Sequence, residues 1–519
     1  MPKSIISYVR KNWKTYFLEV SLIVIALFTF LYRIIMALKF GKAFLSDPSI
    51  VPLMANRILQ NHEFPVLYWG QQYMGVPEAY VMALLGALRG QVTEFMASFV
   101  MMLFYTLFAL ITSYLLYKIT KKFTAFSICF LLFAFGGQML VPVTLPGNMM
   151  CALLGSAMML LGYVHIWEGK IPDRNYYAIL GLLAGIGFWS HFLIIEFLIP
   201  LILFDIFLKK KKRMLIDYGK SLLYFLITFF VGSLPFWIHN IRNHFETFQY
   251  YSFNGGTDKI DAIRLIPVTI NAFINEAFGP LVLNTSNISQ PLSIMVAVIF
   301  VAAFFYGLYA IHFAKKVQDN RRGMLIFYSV FFISFLFYDI SRYALVEKDV
   351  IIRYYIMMIF AIIPILAFFI SFLFKYVPYI ALFLLFLVIS LYTPNLPPRY
   401  GINDSVDEIL LYLNKQNIHA CYWNYAYNYE LVLRSMEKTI CSPLLDSSVT
   451  DRYPEYTRIV QQSSNIAFII NDETLKTKFI SSLNKFNLRY VRADVNGIAV
   501  FTDIDKSYYD NLLNDWRDE

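Results

Sequence analysis

Residues 44–52 read FLSDPSIVP and place a carboxylate, Asp47, shortly after the apolar segment 18–38. An apolar run of about 20 residues crosses a bilayer, so Asp47 stands where the chain leaves the lipid. Ten further apolar segments follow, near 95–117, 123–141, 148–167, 175–189, 191–208, 218–238, 291–314, 323–340, 351–373 and 377–393. Segments 175–189 and 191–208 read either as one broken helix or as two short ones. Hydrophobic residues make up 58% of the 519-residue chain and charged residues 15%, against roughly a quarter charged in soluble domains. The fold expected is a polytopic α-helical membrane protein with about 11 transmembrane helices.

Charge sets the orientation. The net charge of +9 sits mostly in short runs between spans, so it does not indicate nucleic-acid binding. With a cytoplasmic N-terminus, the inner loops hold Lys118, Lys121, Lys122, Lys170, Arg174, the run Lys209 to Arg213, Lys315, Lys316, Arg321 and Arg322. The longer outer segments carry few basic residues, and LVPVTLPGN carries none. This is the positive-inside pattern. The N-terminal apolar run is too long for a signal-peptide core and reads as a retained span. Eleven spans then put the C-terminus outside, in a multi-pass plasma (cytoplasmic) membrane protein.

Three outer regions are large enough for chemistry: 39–94, 239–290 and 399–519. The proline-rich linker TPNLPPRYGIND divides a membrane domain, 1–398, from a tail, 399–519. In the tail, Val406, Ile409, Leu410 and Leu413 have helical spacing, and IHACYW, KTICSP, IAFII, LRYVRA and GIAVF read as strands. Strands alternating with helices predict a small extracytoplasmic α/β domain; it has no GxGxxG turn.

Cys129 and Cys151 lie in apolar segments and read as small hydrophobes. Cys421 and Cys441 read as two buried strand thiols, with a disulfide as the alternative in an oxidising compartment. No CxxC or His/Cys cluster points to a metal, so no cofactor is expected; a divalent metal is compatible but not indicated.

In the first outer loop, residues 48–60 can form a helix with Ile50, Val51, Met54 and Ile58 on one side and Asn56, Arg57 and Gln60 on the other. Such a helix would lie along the membrane surface, and 77–88 reads as a second. Between them LYWGQQYMG, with Gln71 and Tyr73, suits close backbone approach and stacking on a sugar or lipid head. Asp47-Pro48 is a favoured N-cap pair. Glu78 after Pro77 is a first-turn acid placed against the helix dipole.

The run SDPSIVPLMANRILQNHEFPVLYWGQQYMGVPEAYVMALLGAL resembles the first outer loop of GT-C fold glycosyltransferases. The resemblance is to the protein-mannosyltransferase-like branch (glycosyltransferase family 39-like), which includes the lipid A aminoarabinose transferases. GIGFWSH, GSLPFWIHNIRN, IIRYYIMMIFAIIP, CYWNYAYNYELVL and DRYPEY resemble later segments of that group, in the same order. The resemblance implies a GT-C-like membrane domain and transfer of a sugar from a polyprenyl-phosphate donor to an acceptor glycan, lipid or protein on the outer face. It maps the catalytic aspartate onto Asp47. The family often has Asp-Glu there and this chain has Asp47-Pro48, which leaves a single base but weakens a two-acid or metal-assisted scheme. Glu78 is the second catalytic candidate. The donor-binding candidates are Arg353, Tyr354, His191, Arg342, Tyr73 and Gln71, with Lys348 a weaker cation. For the arginines the alternative is anchoring a span end at the interface, and for His191 and His239 a hydrogen-bonded interface residue.

Two other functions compete. A lipid-linked glycan polymerase or ligase would use basic residues in a large late loop. A transporter or flippase would need ionisable groups near mid-span, whereas Glu19, Arg33, Glu196, Asp205 and Asp339 fall near predicted span ends.

Overall fold

The computed structural model describes residues 46–60, 62–135, 148–208, 215–249, 289–312, 320–340, 356–377, 400–444 and 451–517, with isolated residues from 24 to 31 and from 380 to 385. The chain forms two compact units: Met1–Ile35 with Met101–Asn395, and Met36–Val100 with Leu396–Glu519. The first outer loop, which the sequence reading grouped with the membrane domain, therefore folds together with the tail.

In that loop α1 spans Ser46–Leu59 and α2 spans Pro77–Gly86. Ile50, Val51, Leu53, Met54 and Ala55 are all buried, because α1 packs against α2 and against the second tail helix. The expected surface-lying helix is thus a core element of its unit. Asn56, on the side read as solvent-facing, is buried as well. Its Nδ2 donates to the Val92 carbonyl at 2.9 Å and its Oδ1 accepts from Val92 N at 2.6 Å. An amide that matches a distant backbone pair loses little on burial. Leu84 and Leu88, around the end of α2, stay exposed.

The apolar helices are α3 (Glu94–Thr120), α4 (Phe123–Phe135), α5 (Asn148–Ile166), α6 (Asp173–Ser190), α7 (Ile195–Leu208), α8 (Leu215–Gly232), α9 (Leu234–Arg242), α10 (Ser289–His312), α11 (Leu325–Ile340) and α12 (Ile356–Tyr376). Among the described residues, Glu94–Thr120, Met149–Ile166 and Met357–Lys375 are long and apolar enough to cross a membrane. The bent pair Lys220–Gly232 and Leu234–Arg242 raises the number to up to four, and Phe123–Ala134, Val298–His312 and Arg322–Phe337 are apolar but shorter. The chain is a membrane protein. Of the eleven expected spans, the first and last fall largely outside the described residues.

One expected span differs in shape, and one open choice is resolved. Segment 218–238 bends by 65° between α8 and α9, where Pro235 in the first turn of α9 offers no N–H to continue the ladder. Segment 175–208 is two helices, divided by the 3₁₀ turn Phe192–Ile194. Glu168 pairs with Lys118 at 2.8 Å and with Lys170 at 3.1 Å. The turns after α3 and α5 therefore meet.

The tail runs α13 (Tyr400–Lys415), β1 (Ala420–Trp423), α14 (Tyr425–Arg434), β2 (Ile440–Pro443), α15 (Pro454–Gln462), β3 (Ala467–Ile470), α16 (Glu473–Lys485), β4 (Val491–Val495), β5 (Ile498–Thr502) and α17 (Tyr509–Arg517). Val406, Ile409, Leu410 and Leu413 form the buried face of α13. The sheet order is β2-β1-β3-β5-β4; β1 is parallel to β2 and β3, while β5 is antiparallel to β3 and β4. Asn496 and Gly497, at φ 53° and 80°, make the two-residue hairpin turn that matches strand twist. Cys421 and Cys441 stand opposite each other in the β1/β2 register and form a disulfide, with Cα atoms 4.5 Å apart. This corrects the reading as free thiols: register between parallel strands places them together, and local spacing does not reveal it.

Candidate active site

Asp47 lies in the first turn of α1, where a carboxylate is favoured by the helix dipole. Its main-chain carbonyl accepts from the Tyr68 hydroxyl at 2.9 Å. Its side chain is 24% exposed. The carboxylate Oδ1 accepts a hydrogen bond from the Tyr425 hydroxyl and lies 3.6 Å from Arg452 Nη2. The capping role does not account for these bonds, because both donors come from the tail.

Local structure delivers each donor. Tyr425 opens α14 directly after β1, and Asn424 caps that helix by accepting from Ala426 N at 2.8 Å. Arg452 lies on the segment that follows β2. Its neighbour Asp451 accepts from Thr457 Oγ1 at 2.6 Å, from Tyr453 N at 3.2 Å and from the Tyr429 hydroxyl at 3.3 Å. Both donors therefore sit at the carboxyl ends of parallel strands, where open α/β sheets gather functional groups.

Arg452 joins the parts. Its Nε donates to the Tyr425 hydroxyl at 2.8 Å and its Nη1 to the Gly70 carbonyl at 3.3 Å. With its amide oxygen turned inward, Gln71 accepts from Nη1 and Nη2 at 3.1 and 3.2 Å. The guanidinium carbon also lies 5.9 Å from the Tyr68 ring centre and 5.8 Å from that of Tyr425. Gly70 has φ +69°, and a Cβ there would stand 2.9 Å from Arg452 Cδ. The close backbone approach expected of LYWGQQYMG is thus made, at Gly70, by a tail arginine.

Burial pushes the Tyr425 phenol up, and the Asp47 charge adds to it; the hydroxyl stays a neutral donor. Burial opposes the charge on Arg452, but Tyr425 and Asp47 outweigh it and hold its pKa above the ordinary value. The result is a rigid, partly exposed carboxylate with a fixed cation on one flank. Such a group can accept a proton.

A second cluster fastens loop to tail. Arg57 Nη2 lies 2.7 Å from Glu437, Tyr453 donates to Glu63, and Trp69 stacks on Tyr453 with ring centres 4.0 Å apart. In a third, Arg434 holds Glu94 at 3.0 Å, Asp407 at 2.8 Å and Glu430 at 2.5 Å.

The remaining candidates divide. Gln71 joins the Asp47 site through Arg452, and Tyr73 is half-buried in the same turn. Glu78 is fully buried in the first turn of α2. His191 belongs to the other unit, where it is buried and its ring caps the 3₁₀ turn by accepting from Leu193 N at 3.2 Å. Arg342, Lys348, Arg353 and Tyr354 lie outside the described residues. Sequence reasoning missed Tyr425 and Arg452. The aromatic density of CYWNYAYNY and DRYPEY was the available signal. Among the described residues no group of three or more His, Cys, Asp or Glu could hold a metal ion, and a guanidinium beside Asp47 suits an anion held by donors rather than a cation site.

No protein-family model and no curated protein matches the chain. Among solved structures, an Archaeoglobus fulgidus oligosaccharyltransferase, crystallised with zinc and sulfate, is similar at TM-score 0.49 and 14% identity, over 94% of this chain and 73% of that one. ArnT from Cupriavidus metallidurans, in its apo state, is similar at TM-score 0.47 and 10% identity, over 95% of this chain and 98% of that one.

Proposed function

We propose that the protein is a membrane glycosyltransferase of the GT-C kind. It moves a sugar from a polyprenyl phosphate to an acceptor glycan, lipid or protein on the outer face of the plasma membrane, with Asp47 as the single base. The observation that carries this reading is the setting of Asp47: a partly exposed carboxylate, held by Tyr425 and Arg452, in the loop that follows the first apolar segment. The order of the family-like segments supports it. The Cys421–Cys441 disulfide agrees with a tail in an oxidising compartment outside the cytoplasm.

In the reaction the acceptor hydroxyl or amine gives its proton to Asp47 as its oxygen or nitrogen bonds to the anomeric carbon. The bond from that carbon to the phosphate oxygen breaks, and its electron pair leaves with the phosphate. One displacement inverts the anomeric centre. The leaving phosphate is an anion of low basicity and needs no general acid, but it needs cations to hold the charge that develops. Arg353 is the first candidate, since a guanidinium holds two phosphate oxygens at once. Mass spectrometry of envelope glycans and lipids, with and without the gene, tests the reading. One missing sugar supports it, and unchanged glycans and lipids contradict it.

A further inference from the structure

We infer that Arg452 and Tyr425 are positioning residues for Asp47, so that the tail completes a site the first loop only begins. The inference rests on the reading of Asp47 as the base.

The hydrogen-bond directions carry it. Arg452 Nε can only donate, and it donates to the Tyr425 oxygen at 2.8 Å. The single phenol proton is therefore turned away from Arg452 and onto Asp47 Oδ1. Arg452 Nη2 faces the same oxygen at 3.6 Å. The arginine is itself fixed: Gly70 O binds Nη1 at 3.3 Å, and Thr457 and Tyr453 N fasten its neighbour Asp451.

The arrangement also says which charge Arg452 serves. In an in-line displacement the base and the leaving oxygen lie on opposite sides of the anomeric carbon, roughly 7 Å apart. A guanidinium 3.6 Å from the base and bonded to Tyr425 and Gly70 acts on the base side. It orients the carboxylate, while the phosphate needs a different cation. Tyr425, Arg452 and, at its carbonyl, Tyr68 all face Asp47. Tyr429 and Asp451 stand one bond behind.

The test uses the full-length protein in membranes that carry their own lipid-linked donor and acceptor. Its readout is the initial rate, by mass spectrometry, of forming the sugar-bearing product that disappears with the gene, divided by the amount of protein that keeps the Cys421–Cys441 disulfide. Arg452→Gln removes a cation and Tyr425→Phe a donor that fix the carboxylate. Each is expected to lower that rate by about tenfold or more. Arg452→Lys, which keeps the charge, should recover part of it. A rate in Arg452→Lys as low as in Arg452→Gln overturns the inference, as do wild-type rates in Arg452→Gln and Tyr425→Phe. If Arg452→Gln yields no folded protein, Tyr425→Phe decides alone. Asp47→Asn separates the two readings: wild-type rate in that variant removes the base itself, whereas an inactive Asp47→Asn beside unaffected Arg452→Gln and Tyr425→Phe removes only the positioning role.

Discussion

Arg57 and Glu437 lie 380 positions apart in the sequence, yet Arg57 Nε donates to Glu437 Oε1 at 2.8 Å. Tyr456 donates to the same carboxylate at 2.5 Å, and the guanidinium lies 5.7 Å from the ring centres of Tyr453 and Tyr456. Burial opposes the Arg57 charge, but Glu437 and the two phenols outweigh it and keep its pKa above the ordinary value. The bond closes the loop onto the tail and holds α1, and so Asp47, in place.

Removing Arg57 would leave the Glu437 carboxylate partly buried without its cation. Arg57→Ala is expected to destabilise the loop–tail unit by about 2–4 kcal/mol. Arg57→Ala with Glu437→Gln should cost less than the sum of the single changes, because the stranded charge goes too. Denaturant unfolding of the purified full-length protein, followed by protease cleavage in the tail, measures both; strict additivity would contradict the pairing.

Gly70→Ala combines a left-handed backbone with a Cβ 2.9 Å from Arg452 Cδ. A cost of about 1–2 kcal/mol is expected from the backbone alone. The displaced arginine should lower the transfer rate as Arg452→Gln does. Comparing the transfer rates of Gly70→Ala and Arg452→Gln checks this, and a wild-type rate in Gly70→Ala would count against the contact.

The disulfide predicts a labelling pattern. The chain has four cysteines, of which Cys129 and Cys151 are free. Denatured, unreduced protein should take up two alkyl groups by intact mass, and four would contradict the bond. Its two cysteines are 20 residues apart, so losing the bond should cost about 3 kcal/mol by the loop-entropy argument.

Glu430 predicts a pH dependence. Burial pushes its carboxyl up to about 9, against the pull of Arg434 and with Glu94 and Asp407 adding to the rise. A folded-state value above the unfolded one means that its contribution is fully present below the ordinary carboxylate range. That contribution is lost as pH rises through about 9. Thermal unfolding of the full-length protein from pH 6 to 10 should show a decline that Glu430→Gln flattens. An equal decline in the variant would assign the effect to other groups.

What the sequence made legible follows from how local each cause is. The five tail strands and the buried face of α13 rest on short apolar runs and helical spacing, and each appears where those patterns lie. The membrane character rests on composition. The misread features depend on distant partners: Asn56 looks solvent-facing until Val92 meets it, and Cys421 pairs with Cys441 through strand register. The bend at Pro235 was hidden because the flanking residues stay apolar. Asp47 was legible as a carboxylate shortly after an apolar segment, but its setting was not, because Tyr425 lies 378 positions away and no periodicity spans such a distance.

The most direct test of the account is the Asp47→Asn variant, which keeps the shape of the side chain and the oxygen that Tyr425 faces but removes the charge that accepts a proton. Purified beside the wild type and assayed in membranes with their own donor and acceptor, it should insert, fold and keep its disulfide. It should also lose sugar transfer by about 100-fold or more. Transfer at the wild-type rate by that folded variant would contradict the account.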